Sequence, residues 1–439
     1  MTVEKLLEGL KYKLIRGSVD TGITGVCYDS RRIRYGDAYI CIKGGNFDGH
    51  TAIYDVVTAG ARLIVIQAGM EESIPPDLPE VVIVSFESTR SALAEISAAW
   101  FSHPARELRL IGITGTKGKT TTTYMIKSVL EAAGLSVGLI GTIEIVIGDV
   151  HIPSVNTTPE SYVIQETFRR MVDAGLQVCV MEVSSQALML DRVAGFDFDI
   201  GVFTNLSLDH IGEGEHKDFD DYKFWKSRLF TKCRLGILNG DDKYTSEMLS
   251  LSGIKAKLTY GLKGRADYMA KNIFYERMGH ALGVRYHLSG KLECDIELPL
   301  PGEFSVYNSL CAIAICEEFS IDAEIIKDAL KHTAVKGRVE MVPISNDYTC
   351  MIDYAHNAVS LESLLTSLRI YNVSRMDKWT KWTFACPLAG SVFMMRRKDR
   401  FYPCFRQLQE CAKQQVDKVD MDFCPLAMST LSTWRTHYG

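Results

Sequence analysis

The run Ile111-Gly-Ile-Thr-Gly-Thr-Lys-Gly-Lys-Thr-Thr-Thr-Thr123 constrains the fold more than any other stretch of the chain. An apolar strand over 108–113 enters a short glycine loop, and the loop leads into a helix opening at Lys119-Thr120. Backbone N–H groups of such a loop, with a helix N-terminus behind them, form a nest for phosphate oxygens. Lys119 can then reach the terminal phosphates, and the Thr120 hydroxyl can coordinate Mg²⁺. The strict spacing G-x-x-x-x-G-K-[ST] would need glycine where the chain has Ile113, so the loop is a tighter variant with a second lysine, Lys117, inside it. Nucleotide binding on an α/β fold is the expectation.

The 439 residues suffice for two or three domains with sizeable cores. Over the first hundred residues, strands at 25–28, 37–42, 63–66 and 81–84 alternate with helices at 52–59 and 89–100, which predicts a small α/β domain over 1–104. A second set of βα units starts at the phosphate loop, with strands expected over 136–140, 177–183, 200–205 and 234–239. Helices between them predict a largely parallel sheet covered on both faces, in a domain over 105–335. Ligands of such sheets sit at the carboxyl ends of the strands, where Thr114, Glu182, Asn205 and Asn239 fall. Alternation over 270–298 suggests an antiparallel excursion, and a third domain begins over 336–370 with a strand at 349–353.

A net charge of −5 argues against a dedicated nucleic-acid surface. No apolar run approaches the roughly eighteen residues of a membrane span, and the N-terminus lacks a secretory apolar core, so a cytoplasmic protein is expected. Twelve cysteines without C-x-x-C pairs suit reduced, structural thiols.

Glu182 and His210 share the loop's sheet edge. Glu182 ends the apolar strand Val178-Cys-Val-Met181 and can hold Mg²⁺ directly or through water. Ser184 and Ser185 follow and could face a phosphate or a polar substrate. His210 lies just beyond the next strand, whereas His216, in Glu213-Gly-Glu-His216, reads as loop. Lys223 and Lys226 sit among aromatics in Tyr222-Lys-Phe-Trp-Lys-Ser-Arg-Leu-Phe230, a pattern that alone describes an amphipathic helix.

Taken together these motifs resemble the Mur ligase family. The resemblance rests on the glycine loop, Asn156-Thr-Thr-Pro-Glu-Ser161, Met181-Glu-Val-Ser-Ser185, Phe203-Thr-Asn-Leu206 with Asp209-His210, Lys226 with Leu229-Phe230, Asn239-Gly-Asp-Asp242, Tyr307-Asn308, Gly337-Arg338 and Asp353-Tyr-Ala-His356. It covers roughly the first 370 residues. It implies a three-domain α/β architecture: an N-terminal domain for a UDP-substrate, a central domain with a P-loop-type parallel sheet, and a Rossmann-like C-terminal domain that is incomplete here. Asp29-Ser-Arg31 and Gly45-Asn-Phe-Asp-Gly-His50 look like the member that adds a third amino acid, meso-diaminopimelate or L-lysine, to UDP-N-acetylmuramoyl-L-alanyl-D-glutamate.

The resemblance also implies residue roles. Gly115, Thr116, Lys117, Gly118, Lys119, Thr120 and Thr121 would cradle the ATP phosphates, with Asn308, Arg338 and Asp353 at other parts of the nucleotide. Thr120, Glu182, His210 and Lys226 would hold Mg²⁺, two ions in all, with Lys226 carboxylated to a carbamate. Lys119, Glu182, His210 and Lys226 would be the catalytic set. Ser30 would meet the uridine nucleotide, and Asn156, Thr157, Thr158, Ser184 and Arg192 the muramoyl-dipeptide. Position 186, often histidine in the family, is Gln186 and receives no role. Two alternatives remain: a nucleotide-binding remnant impaired in catalysis, or a related ligase of the folylpolyglutamate or cyanophycin type, against which the N-terminal domain weighs.

The match stops near Tyr371. From Ile370 onward only Gly390 and Gly439 are glycines, while three of five tryptophans and four of twelve cysteines crowd there. The family's glycine-rich segment and Asp-Asn-Pro-Arg motif for the incoming amino acid are not found in 371–439. Motif and composition change together, which suggests a shifted reading frame or gene end. Weak binding of ATP and UDP-substrate with poor turnover is therefore expected.

Overall fold

The computed structural model describes residues 1–45, 47–279, 281–342, 348–353, 355, 358–371, 375–379 and 391–396. They form two compact units, one of residues 1–267 with 311–321 and one of residues 268–310 with 322–439.

The first unit holds two sheets. The N-terminal one contains β1 (Lys13–Arg16), β2 (Gly25–Cys27), β3 (Asp37–Ile40), β4 (Leu63–Gln67) and β5 (Val82–Phe86), in the order β1-β5-β4-β3-β2. All neighbours are parallel except β1, which pairs antiparallel with β5. Successive side chains of a strand face opposite sides. Thus Leu63 and Val65 of β4 join one core with Leu6, Val84 and Ile96, while Ile64 and Ile66 join another with Tyr39, Ile53 and Ile83. Strands β2 to β5 fall where the sequence places them. The edge strand β1 is a mostly exposed Lys-Leu-Ile-Arg, which leaves no buried face to read.

The larger sheet of this unit contains β6 (Arg109–Thr114), β7 (Val137–Ile140), β8 (Glu144–Ile147), β9 (Val150–Pro153), β10 (Val178–Glu182), β11 (Phe198–Phe203), β12 (Cys233–Asn239) and β13 (Lys257–Gly261). Its order is β13-β12-β11-β6-β10-β7-β8-β9, parallel from β13 to β7 and closed by the antiparallel β8–β9 hairpin. Strands β6, β7 and β10 carry near-continuous buried apolar runs, as parallel strands covered on both faces do. The chain passes from β10 to β11 across β6, so the strand order reverses there. Ligands of open α/β sheets bind at such a switch point. Register sets Ile113 beside Glu182 and Thr114 beside Phe203, which brings the three carboxyl ends level.

In the second unit, β14 (Tyr268–Met278), β15 (Ala281–Gly290) and β16 (Cys294–Leu298) form the expected antiparallel excursion. Later come β17 (Glu340–Val342), β18 (Tyr348–Asp353), β19 (Arg375–Trp379) and β20 (Ser391–Arg396), in the order β17-β18-β20-β19. The connection from β18 through the helix Ala358–Arg369 to β19 keeps the direction of a parallel crossover, but β20 lies between them and pairs antiparallel with both. Apart from Tyr371, β19 and β20, residues 371–439 lie outside the described residues, as do Tyr354 and His356. Among the described residues no helix is long and apolar enough to cross a membrane.

Candidate functional site: a phosphate loop with a buried carboxylate and two lysines

The loop leaves β6 at Thr114 and enters the helix Lys119–Ala132. Gly115 has φ +146° and Gly118 has φ +87°, conformations that glycine alone adopts without strain. Gly118 caps the helix without any side-chain acceptor, so the first-turn N–H groups have no cap of their own. The loop is held from below by the segment after β11. Thr116 N–H donates to the Asn205 carbonyl at 2.8 Å and Lys117 N–H to Asn205 Oδ1 at 3.0 Å. Asn205 Nδ2 and Thr204 Oγ1 in turn donate to the Lys117 carbonyl at 2.9 and 2.7 Å. A Cβ at Gly115 would run into Thr204 Oγ1 and the Asn205 backbone. Gly115→Ala is therefore expected to lose nucleotide binding and about 1–3 kcal/mol of stability, measured by nucleotide titration and thermal melting.

Two lysines converge on this loop. Lys119 Nζ donates to the carbonyls of Gly115 at 2.9 Å and Thr116 at 3.1 Å. Lys226, on the helix Phe219–Ser227, donates to the same Gly115 carbonyl at 3.0 Å and stands 4.6 Å from the Tyr222 ring centroid. Only 2% of Lys226 is exposed. Burial pushes its ammonium far below the usual lysine range; the Lys119 charge pushes the same way, and Asp209 opposes. The shift favours the neutral form of the amine. This corrects the amphipathic reading of the helix, because Lys226 points into the site rather than snorkelling to solvent.

Glu182 is also buried, and three donors hold its carboxylate. Thr120 Oγ1 reaches Oε2 at 3.1 Å, Thr142 Oγ1 reaches Oε2 at 3.0 Å, and Thr142 N–H reaches Oε1 at 2.9 Å. Sequence reasoning passed over Thr142, although it follows the carboxyl end of β7 and shares the sheet edge that singled out Glu182. Thr204 and Tyr222 likewise carry no expected role, and Asn205 is expected only at the ligand-binding strand ends; the Tyr222 hydroxyl lies 3.1 Å from Thr116 Oγ1. The pair Thr120–Glu182 offers hard oxygen donors beside the phosphate nest, a set that suits Mg²⁺.

His210 does not touch this pair. Its ring meets Glu215 at 3.1 Å and is 53% exposed, and its backbone has φ +54°, a strained conformation for a histidine. Among the described residues no three His, Cys, Asp or Glu side chains cluster with the geometry of a metal site. His216, read as loop, is fully buried and bonded at both ring nitrogens.

The expected substrate residues gather at the adjoining strand ends. Thr158 Oγ1 donates to the Glu182 carbonyl at 2.8 Å and accepts from Ser184 N–H at 3.0 Å, and Ser184 Oγ caps Ala187 N–H at 3.1 Å. Arg192 donates to the Thr158 carbonyl at 3.0 Å and pairs with Glu160 at 2.8 Å. Thr157 Oγ1 lies 3.1 Å from Thr142 Oγ1, whereas Asn156 is exposed. Ser30 opens a short 3₁₀ turn whose cap, Asp29, is gripped by Arg31; that guanidinium holds the Asp29 carboxyl below its usual range. In the second unit Asn308 is buried on the helix Glu303–Glu317, and Arg338 precedes β17. Asp353 accepts N–H bonds from Val339 at 2.9 Å and Ala355 at 2.7 Å, while burial raises its carboxyl.

A phosphate loop at a switch point, with a lysine and a buried carboxylate facing it, defines a phosphate-loop nucleotide enzyme. Two family models match the chain, the Mur ligase middle domain over residues 113–316 and the Mur ligase family catalytic domain over 22–101. The UDP-N-acetylmuramoyl-L-alanyl-D-glutamate–2,6-diaminopimelate ligase of Clostridium perfringens is 38% identical over 382 residues, 86% of this chain and 77% of that one. The ligase of the same name from Caldanaerobacter subterraneus is 41% identical over 376 residues, 85% and 76% of the two chains. The chain belongs to the Mur ligase family, and so to the ATP-dependent acid–amino-acid ligases. Solved structures agree in fold. A UDP-N-acetylmuramoyl-L-alanyl-D-glutamate–2,6-diaminopimelate ligase superposes with TM-score 0.70 at 22% identity, over 86% of this chain and 75% of that one. A MurF ligase from Thermotoga maritima in complex with ADP gives 0.52 at 17%, over 80% and 75%.

Proposed function

We propose that the chain activates the free carboxylate of UDP-N-acetylmuramoyl-L-alanyl-D-glutamate with ATP and passes it to an amino acid, a step that builds a peptidoglycan precursor in the cytoplasm. The observation that carries the reaction type is the convergence of Lys119, Lys226, Thr120 and Glu182 on one glycine loop. The substrate comes from the relatives' names, which also favour diaminopimelate over L-lysine.

The substrate carboxylate attacks the γ-phosphorus, the bond to ADP breaks, and an acyl phosphate results. The amine then attacks the acyl carbon, phosphate leaves, and the amine loses a proton. A carboxylate is a poor acyl donor because its oxygen leaves badly, and phosphorylation supplies the leaving group. Mg²⁺ would screen the phosphate charge. Loop N–H groups and Lys119 orient the triphosphate and stabilise negative charge on the transferring group. Thr120 and Glu182 would hold one Mg²⁺. His210 and Lys226 would complete the metal set, with Asn308, Arg338 and Asp353 at the nucleotide.

Lys226 is proposed to work as a carbamate. A bare ammonium about 4 Å from one positive charge is disfavoured by roughly 4 kcal/mol at an effective dielectric near 20, and Mg²⁺ doubles that charge. Burial favours the neutral amine, the form that reacts with CO₂, and the carbamate product is an anion that would help hold a second Mg²⁺.

Three domains are proposed for these tasks: 1–104 for the UDP-substrate, 105–335 for ATP, and 336–370 as the start of the C-terminal ligase domain. Residues 371–439 lack the family's amine-binding motif, so amide formation is slow relative to activation. Formation of ADP that requires the UDP-dipeptide supports the reading. ADP formation indifferent to it, or driven by a folate substrate instead, overturns it.

A further inference from the structure

His216 is a buried side chain, bonded at both ring nitrogens, that the proposed mechanism leaves unused. Its ring is fully buried. Nδ1 lies 3.0 Å from Asp221 Oδ2 and Nε2 lies 2.8 Å from Ser185 Oγ. A carboxylate only accepts, so Nδ1 carries a proton, and in the neutral ring Nε2 accepts from the Ser185 hydroxyl. Backbone bonds tie the same residue to the loop that carries His210. His216 N–H donates to the His210 carbonyl at 3.2 Å, and Gly212 N–H donates to the His216 carbonyl at 3.2 Å.

Each partner belongs to a different part of the site. Ser185 opens the helix Ser185–Met189, three residues after Glu182. Asp221 lies on the helix that carries Lys226, and next to Tyr222, whose ring centroid is 5.3 Å from that of His216. That helix meets the phosphate loop twice, through Tyr222 to Thr116 and through Lys226 to Gly115. One imidazole therefore joins the strand end bearing Glu182, the loop bearing His210 and the helix bearing Lys226.

We infer that His216 is a positioning residue, which through Ser185 and Asp221 sets the spacing between the Glu182 carboxylate and the Lys226 side chain, and so the affinity for the divalent cation that accompanies the nucleotide. This rests on the nucleotide and Mg²⁺ reading above. Ser185 is nearly as buried as His216. The relay is enclosed and acts by holding its partners in register, with no need to touch the nucleotide. Groups that orient metal ligands from behind commonly change metal affinity or activity by about 10- to 100-fold when removed.

The test is titration of the full chain with a fluorescent ADP analogue at rising Mg²⁺, which needs no turnover. His216→Ala is expected to raise the Mg²⁺ concentration for half-maximal binding by about 10-fold or more, with less change in Mg²⁺-free binding. His216→Gln, which keeps an acceptor for Ser185, is expected to recover part of that loss. Ser185→Ala and Asp221→Asn disturb packing less, and each is expected to cost less in His216→Ala than in the unsubstituted chain, since partners in one network are not additive. Unchanged Mg²⁺ dependence in Asp221→Asn and Ser185→Ala, or losses that simply add, overturns the inference while leaving the nucleotide reading intact. Absence of Mg²⁺-dependent binding in the unsubstituted chain overturns both.

Discussion

Replacing Lys226 with methionine is expected to lower ATP-dependent activation of the substrate by at least about 100-fold. In CO₂-free buffer it is also expected to raise the thermal midpoint of the chain at neutral pH. The two effects have one cause. Burial, aided by Lys119, depresses the folded-state pKa of Lys226 well below 10.5. Between the folded and unfolded values the unfolded chain binds a proton that the folded chain does not, so stability rises with pH across that window. The lysine's penalty is full below the folded pKa, shrinks as pH rises through the window, and disappears as pH approaches the ordinary lysine value. Methionine fills a similar volume without the charge, so its gain should be larger at lower pH and fade in alkali. With labelled bicarbonate the unsubstituted chain should show a carbamate carbon resonance that Lys226→Met lacks. A methionine variant that is active, or destabilised most at neutral pH, contradicts this account.

Replacing Lys119 with alanine is expected to slow phosphoryl transfer by about 10²- to 10³-fold, because the lysine meets charge that develops on the γ-phosphate. In the structure Lys119 bonds the Gly115 and Thr116 carbonyls, so the side chain already lies along the loop. Its loss should leave the fold intact, since the loop keeps its bonds to Asn205 and Thr204. Circular dichroism unchanged beside lost nucleotide affinity is the expected pair of results. If Lys119→Ala binds and consumes ATP like the unsubstituted chain, the loop is not a phosphate site.

Much of the site is legible in the chain because strand ends are legible. Continuous apolar runs mark β6, β10, β11 and β12, and the polar residue that ends each run falls at one sheet edge. Glu182 and the glycine loop needed nothing more. Thr142 escaped notice because a threonine after a short strand has no distinctive chemistry; its role appears only when the register brings β7 beside β10. His216 lies in a loop, as its charged and glycine neighbours suggest, but its burial depends on two ring bonds that local sequence does not specify. The residue pattern alone places Lys226 on a helix but not in the interior, since a helical lysine among aromatics normally extends to water; only the family resemblance points it to the site. In the C-terminal part, the antiparallel β20 depends on a pairing between distant segments that local patterning does not specify.

The central claim is that ATP activates a carboxylate at this loop, and trapping the acyl phosphate tests it without relying on residues 371–439. The purified full chain would be incubated with Mg²⁺, ATP, UDP-N-acetylmuramoyl-L-alanyl-D-glutamate and hydroxylamine, whose nitrogen attacks an acyl phosphate to give a hydroxamate and phosphate. The account predicts a UDP-linked hydroxamate, formed with one ADP each, dependent on ATP and sharply reduced in Lys119→Ala. Bound ATP and bound UDP-dipeptide that yield no hydroxamate would contradict it.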